Sequence, residues 1–396
     1  MRQTLAALLL VVSACTSGTT PNQITVVSQN LYLGGDIFSI VKAGSAQEAA
    51  VATFQVWSSV QATNFPARAK VIAAGIAAQN PDVIGLQEVA IWRTGPAVVC
   101  APDGSGLQYI NAPVASTVVY DFLASLQAEL VALGLRYDVA RTTRSFDAEL
   151  CAVDPSVGPA SAIDVRYTDH DVILVRSGLT TRNPDGGTYA TMIEFPIPGT
   201  GDPGISVPDR RAWNVVEVQK DGQWYRVFET HLEVQEIPQA QPYGFIFQLA
   251  QAGELVAGQV NPRAAAAPLP TILLGDLNTQ AEQPGGSPLR ITYNFLAQGL
   301  PFPDYGSVVS WWPPVAGTVS PLADAWSTAN PGQSGLTWGF GDDLLTGTMS
   351  QRIDFVLTSG AGPSWMRTFG ATATTSTTPP LHASDHLGVA AAIQVP

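Results

Sequence analysis

TILLGDLNTQ, residues 271–280, runs four residues suited to a buried strand into Gly275 and then sets Asp276 and Asn278 one residue apart. Side chains alternate along a strand, so positions i and i+2 face the same side. Two polar groups leaving a core strand on one face suit a binding site. They equally suit a turn, where Gly, Asp and Asn are common for backbone reasons. This stretch alone does not separate the two readings.

The pattern recurs along the chain. Ser28-Gln29-Asn30 follows ITVV, Gln87-Glu88 follows DVIGL, and Thr230-His231-Leu232 follows YRVF and Glu229. Arg352-Ile353-Asp354 opens IDFVL, and Ser384-Asp385-His386 precedes LGVAAAI. Each group sits where an apolar run meets residues able to bind a metal or move protons. Between them, ARAKVIAAGIAAQ places Val71, Ala74 and Ala78 at helical spacing and stops at Asn80-Pro81. YDFLASLQAELVALGL and FIFQLAQAGELVAGQV read as further helices. WNVVEVQ and WYRVFETHL flank Asp221-Gly222, a hairpin signal. Many strands, few helices and antiparallel hairpins predict two sheets packed face to face with helices outside. Residues 92–118, 145–168, 184–209 and 300–335 are rich in Gly, Pro and small polar residues and read as loop insertions in one domain, 24–396.

Bulk composition narrows the function. Of 396 residues, 46% are hydrophobic and 13% charged, so the core is large and the surface sparsely charged. The formal net charge is −13 and no basic patch exists beyond small groups such as Arg210-Arg211, which disfavours a protein that holds polyanions by charge. Arg2 ahead of the apolar run Leu5 to Val12 reads as a targeting leader, residues 1–14, too short to span a bilayer. Cys15 after two small residues resembles the bacterial lipobox cysteine, which becomes lipidated; ordinary signal cleavage nearby is the other reading. Residues 15–23 then form a tether, and membrane attachment is expected only through that lipid. Cys100 and Cys151 remain as an even pair in an oxidising compartment, which predicts a disulfide between two insertions.

The ordered motifs QN, QE, THL, GDLN, RID and SDH, with Thr337-Trp338 ahead of RID, resemble the endonuclease/exonuclease/phosphatase superfamily. It includes secreted DNases, apurinic endonucleases, inositol-polyphosphate phosphatases and neutral sphingomyelinases. The resemblance spans residues 24 to 396. It implies an α/β fold, a four-layer sandwich of two mostly antiparallel sheets, with the site at one end and a divalent cation, Mg²⁺ or else Mn²⁺ or Ca²⁺. It further implies Glu88 as principal metal ligand, with Asn30 beside it and Asp385 close by. Asp276 would orient or deprotonate the attacking water, and Asn278 would donate to a non-bridging phosphoryl oxygen. Asp354 would hold His386 in one tautomer and favour its charged form. His231 would hydrogen-bond phosphate or protonate the leaving group.

Other candidates have plainer readings. His170 precedes VILVR and either touches substrate or is a loop histidine; His382 is expected to be structural, Asp36 a turn carboxylate, and Trp311-Trp312 packing. The expected activity is an exported, monomeric phosphoesterase acting on phosphodiesters of the sphingomyelinase-like or small-molecule kind. A DNase-like endonuclease is the alternative, and an inactive binding module on the same scaffold is disfavoured because Glu88, Asp276 and His386 are all present.

Overall fold

Asp221 and Gly222 both adopt positive φ, +50° and +85°, the geometry that matches a two-residue turn to the right-handed twist of its strands. That turn fixes the register of Ala212–Lys220 against Gln223–His231, pairing Lys220 with Gln223 and Ala212 with His231. In the computed structural model the described residues are 22–100, 113–196, 206–237 and 243–395. The leader 1–14, Cys15, most of the tether and parts of two expected insertions, 92–118 and 184–209, lie outside them.

Two sheets carry the fold. In the first, Gly362–Phe369, Gly388–Gln394, Gln23–Asn30, Val83–Gln87, Ile163–Arg176, Ile91–Pro96 and Thr117–Asp121 lie in that order, and Tyr137–Ala152 also pairs with Ile163–Arg176. In the second, Ala323–Asp324, Asp354–Ser359, Thr271–Asp276, Gln223–His231, Ala212–Lys220 and Thr180–Thr188 follow one another. Each sheet holds one parallel pairing, Gln23–Asn30 with Val83–Gln87 and Gln223–His231 with Thr271–Asp276; the rest are antiparallel. Ile24, Val83, Ile173, Val227, Leu274 and Val389 fill the space between the sheets. Helices Ala46–Ala62, Phe65–Gln79 and Phe122–Ala132 cover the outer face of the first sheet, and Gly244–Leu255 and Ile291–Ala297 that of the second. The result is the expected α/β sandwich of four layers.

Local sequence explains the helix ends. Ser45 accepts from the Glu48 amide, and the Glu48 carboxylate returns to the Gly44 amide, which satisfies two otherwise unpaired donors. Asn64 caps Phe65–Gln79, and Asn80, at φ +50°, ends it where Asn80-Pro81 was expected to. FIFQLAQAGELVAGQV begins as predicted, but residues Val256–Val260 form a π-helical turn instead of continuing the α-helix.

Two sequence expectations are corrected by the backbone. Residues 145–168, read as an insertion, are the outer half of a long hairpin whose strands pair from Tyr137 with Arg176 to Ala152 with Ile163. The outer half of the second strand also pairs with Ile91–Pro96 and is mostly buried, while the first strand is half-buried along its outer half, so neither shows a clean alternation. Residues 184–209 likewise carry strands, the end of Thr180–Thr188 and the pair Ile193–Pro196 with Ser206–Asp209. Cys100 and Cys151 form the expected disulfide, tying the segment after the strand Ile91–Pro96 to that hairpin. Among the described residues no helix is long and apolar enough to cross a membrane.

A polar seam crosses the inter-sheet core. Ser28 bonds Gln87, Gln87 donates to Glu229 at 2.9 Å, Asn214 donates to the other Glu229 oxygen at 2.8 Å, and Thr143 donates to Asn214 at 2.7 Å. Buried polar groups are tolerated when each finds a partner. Both oxygens of the fully buried Asp171 lack one.

Candidate active site

Strand register brings the polar motifs together. His231 pairs with Asp276 on the parallel neighbour, and Asp276 pairs with Asp354 on the antiparallel one. Because Asp354–Ser359 runs the other way, its first residue lies beside the last residue of Thr271–Asp276. Asn30 and Gln87 likewise end paired parallel strands in the other sheet. Both sheets therefore present these residues at one edge of the sandwich. Tyr32, Glu88 and Asn278, just past those strands, have φ of +57°, +53° and +51°. Left-handed backbone at non-glycine residues is costly and gathers at functional sites.

The geometry is close-knit. Asn30 Nδ2 donates to Glu88 Oε1 and to Asp276 Oδ2, each at 3.0 Å, while Asn30 Oδ1 accepts from the Tyr32 amide at 2.8 Å. Asn30 thus braces two carboxylates. Glu88 Oε2 accepts from the Leu33 amide at 2.7 Å. His386 Nδ1 lies 2.9 Å from Asp354 Oδ2, and its Nε2 faces Asp276 Oδ2 at 3.6 Å and Asp385 Oδ1 at 3.9 Å. Asp385 accepts from the indole of Trp338 at 3.2 Å. The Asn278 amide donates to Asp276 Oδ1 at 3.0 Å, and Asn278 Nδ2 lies 2.9 Å from Leu232 O and 3.1 Å from His231 Nε2.

Charge follows from that packing. Burial pushes the Asp276 carboxyl up to about 7, with Asp354 adding to the rise and His386, Asn30 and the Asn278 amide opposing it. Burial alone would lower the His386 imidazole, but Asp354, Asp385 and Asp276 together hold it well above its ordinary value. His231 goes the other way, held well below by burial, by the Arg211 guanidinium and by His386. Asp385 rises to about 6, through burial first and then Glu88, against the pull of His386. A site of this kind holds a base and a charged acid side by side near neutral pH.

The cleft above these groups has a volume of about 360 Å³. Carboxylates dominate its lining, among them Asp36, Glu88, Asp169, Asp209, Asp342 and Asp385, against Lys42 and Arg211. Mutual repulsion of buried carboxylates and an all-oxygen donor set suit a hard divalent cation. Glu88 and Asp385, both on the cleft wall, are the residues that would hold one. Asp276, Asp354 and His386 also offer atoms within 4.8 Å of one another, but His386 Nδ1 and Asp354 already bond each other.

The residues expected from the sequence thus gather in one place: Asn30, Glu88, His231, Asp276, Asn278, Asp354, Asp385 and His386. Others do not join them. His170 Nδ1 bonds the Val89 carbonyl at 3.2 Å and supports the loop behind Glu88. His382 stacks on Phe340 with ring centroids 3.5 Å apart. Asp36 accepts from the Phe38 amide, a turn contact at the rim of the cleft. Trp311 stacks on Phe247 and, with Trp312, lines a separate cleft of about 760 Å³. Arg211, Asp209, Asp169 and Glu233 were not read as site residues. Counting the hairpin register back from Asp221-Gly222 sets Ala212 opposite His231 and would have placed Arg211 at the site.

A family model described as Endonuclease/Exonuclease/phosphatase family matches residues 30–386. Among solved structures, an endonuclease/exonuclease/phosphatase family protein from Bacteroides thetaiotaomicron superposes with a TM-score of 0.52 at 15% identity, covering 95% of this chain and 99% of that one. A mannosyl-6-phosphatase from Bacteroides thetaiotaomicron gives 0.49 at 14% identity over 93% of this chain and 99% of its own. Truncated TDP2 from Caenorhabditis elegans gives 0.49 at 17% identity over 94% and 98%. At these identities the likeness is one of fold. No curated protein matches the chain.

Proposed function

The chain belongs to the endonuclease/exonuclease/phosphatase family, whose members hydrolyse phosphoesters, and from that premise we propose that it is an exported, Mg²⁺-dependent phosphodiesterase acting on a small or lipid phosphodiester. One observation carries the reading: Asp276 sits between the Asn30–Glu88 brace and the Asp354–His386 pair, so a base and a charged donor converge on one point. Asp276, held by hydrogen bonds from Asn30 and the Asn278 amide, takes a proton from water aligned with the scissile bond. His386, steadied by Asp354 at Nδ1, directs its Nε2 proton to a phosphoryl oxygen as charge spreads there. A cation held by Glu88 and Asp385 would neutralise phosphate charge. Asn30 fixes the distance between the two carboxylates, which would otherwise move apart.

The substrate class rests on charge. A cleft with many carboxylates and few cations repels a ligand bearing more phosphates than the scissile one. That favours a diester with a neutral or cationic remainder over nucleic acid. Export is supported by the leader pattern at residues 1–14 and by the Cys100–Cys151 disulfide. The test is hydrolysis of bis-p-nitrophenyl phosphate, p-nitrophenyl phosphate, sphingomyelin and plasmid DNA by the mature protein with Mg²⁺, with EDTA and His386→Ala as controls. Metal-dependent cleavage of the small diester or sphingomyelin, lost in the variant, supports the reading. Preference for plasmid DNA would replace it with an endonuclease, and full activity in His386→Ala would sink the mechanism.

A further inference from the structure

Arg211 is buried within the catalytic cleft and anchored from behind. Its Nη2 lies 2.8 Å from Glu233 Oε1 and 3.8 Å from Asp209 Oδ2, and its Nε lies 3.2 Å from the same Glu233 oxygen. Its Nη1 lies 3.2 Å from both Nδ1 and Nε2 of His231. Equal distances to both nitrogens put Nη1 over the face of the ring rather than in its plane, so a permanent cation lies against the imidazole. On the far side, Asn278 Nδ2 is turned toward Nε2 at 3.1 Å. A nitrogen that accepts from an amide carries no proton, so the ring keeps a single N–H. The carboxylate of Asp276 lies 3.5 Å from Nε2, the nitrogen that carries no proton, so the single N–H sits at Nδ1.

Building on the phosphoesterase reading, we infer that Arg211 is a positioning residue that holds His231 as a neutral ring, able to donate one hydrogen bond to a phosphoryl oxygen and unable to act as the acid for the leaving group. A neutral imidazole that gave up its only proton would become an anion, which is not accessible near neutral pH. In the reaction this implies, the water oxygen bonds to phosphorus and one water proton passes to Asp276. The bond from phosphorus to the leaving oxygen breaks, and that oxygen collects its proton from solvent. His231 ends as it began. Glu233 and Asp209 set the plane of the guanidinium, and the guanidinium sets the plane of the ring.

The test compares His231→Ala, Arg211→Gln, Arg211→Lys and the double variant on methyl p-nitrophenyl phosphate and methyl phenyl phosphate, which differ only in how readily the phenol leaves. Loss of one hydrogen bond to a charged group predicts kcat lower by about 10- to 100-fold in His231→Ala and in Arg211→Gln. The loss should be equal on the two esters, the double variant should lose no more than His231→Ala alone, and Arg211→Lys should recover part of the activity. A loss in His231→Ala that grows on the poorer leaving group would make His231 a general acid and overturn the inference. Additive losses, or a rise in KM alone in Arg211→Gln, would make Arg211 a phosphate contact in its own right and overturn it too. Glu233→Gln, which loosens the anchor and keeps the guanidinium, serves if Arg211→Gln fails to fold. Full activity in His386→Ala would instead strike the underlying mechanism, a result readable apart from all of these.

Discussion

At the scale of the residue, the Asp354–His386 pair separates shape from charge. Asp354→Asn preserves the outline of the side chain while removing the negative charge 2.9 Å from Nδ1. The imidazolium is then less favoured and the tautomer is no longer fixed. Turnover should fall by about 10³-fold or more, while the melting temperature moves little; steady-state kinetics beside a thermal melt would check both. Glu88→Gln addresses the cation. It keeps the outline of the side chain but removes its charge, and its single amide oxygen can accept only one of the two hydrogen bonds that come from Asn30 and Leu33. The Mg²⁺ concentration giving half-maximal rate should rise at least about tenfold, and an unchanged midpoint would remove Glu88 from the metal site. Residues of this kind were legible because each closes an apolar run with a polar type the chemistry needs. Arg211 was not, since its meaning comes from a neighbour across a hairpin and its own surroundings in sequence, PDRRAW, look like a turn.

At the scale of the element, Gly275 shows why the motif begins as it does. A Cβ there would collide with the carbonyl oxygen of Thr230 on the parallel neighbour, so only glycine lets the two strands close at this point. Gly275→Ala must push apart the strands that carry His231 and Asp276. It should destabilise the protein by about 2 kcal/mol or more and depress activity further than stability alone explains. Urea unfolding with an assay at low temperature would separate those effects. The strands were readable because their apolar runs are short, β-branched and bounded by polar ends. Helix Ala46–Ala62 was missed for the opposite reason. Alanines and polar residues dominate it, and its buried face of Ala49, Ala52, Val56 and Val60 shows little contrast with its exposed one. The outer part of the hairpin of Tyr137–Ala152 and Ile163–Arg176 escaped notice because one strand is half-buried and the other mostly buried there, and neither alternates cleanly.

At the scale of the whole molecule, the seam between the sheets governs how stability responds to pH. Burial raises the Glu229 carboxyl to about 8, with Asp169 adding to the rise and the donors Asn214 and Gln87 opposing it. The unfolded chain ionises this group near the ordinary glutamate value, so the folded state binds more protons between the two. Stability is then fully present below the unfolded value and is lost as pH climbs toward about 8, with a slope of up to about 1.4 kcal/mol per pH unit from this group. Glu229→Gln should flatten that decline, seen as urea midpoints that differ less between pH 5 and pH 8 than in the parent. Asp171 and Asp169, raised by the same burial, keep part of the slope in the variant. An equal slope in both proteins would show that Glu229 is ionised in the fold.

The strand that ends in Asn30 lies between Val83–Gln87 on one side and Gly388–Gln394 on the other. Gln23 faces Gln394 across that second pairing, and His386 enters only just before it. During synthesis the first strand of the domain emerges long before its second neighbour exists. Neither the sheet nor the site can close until residues 385–394 have left the ribosome. Until residue 386 is made, the nascent chain has the earlier residues of the site without that histidine. A chain cut short between residues 88 and 385 would carry Glu88 but neither Asp385 nor His386, and so only the first of the carboxylates on which the site depends.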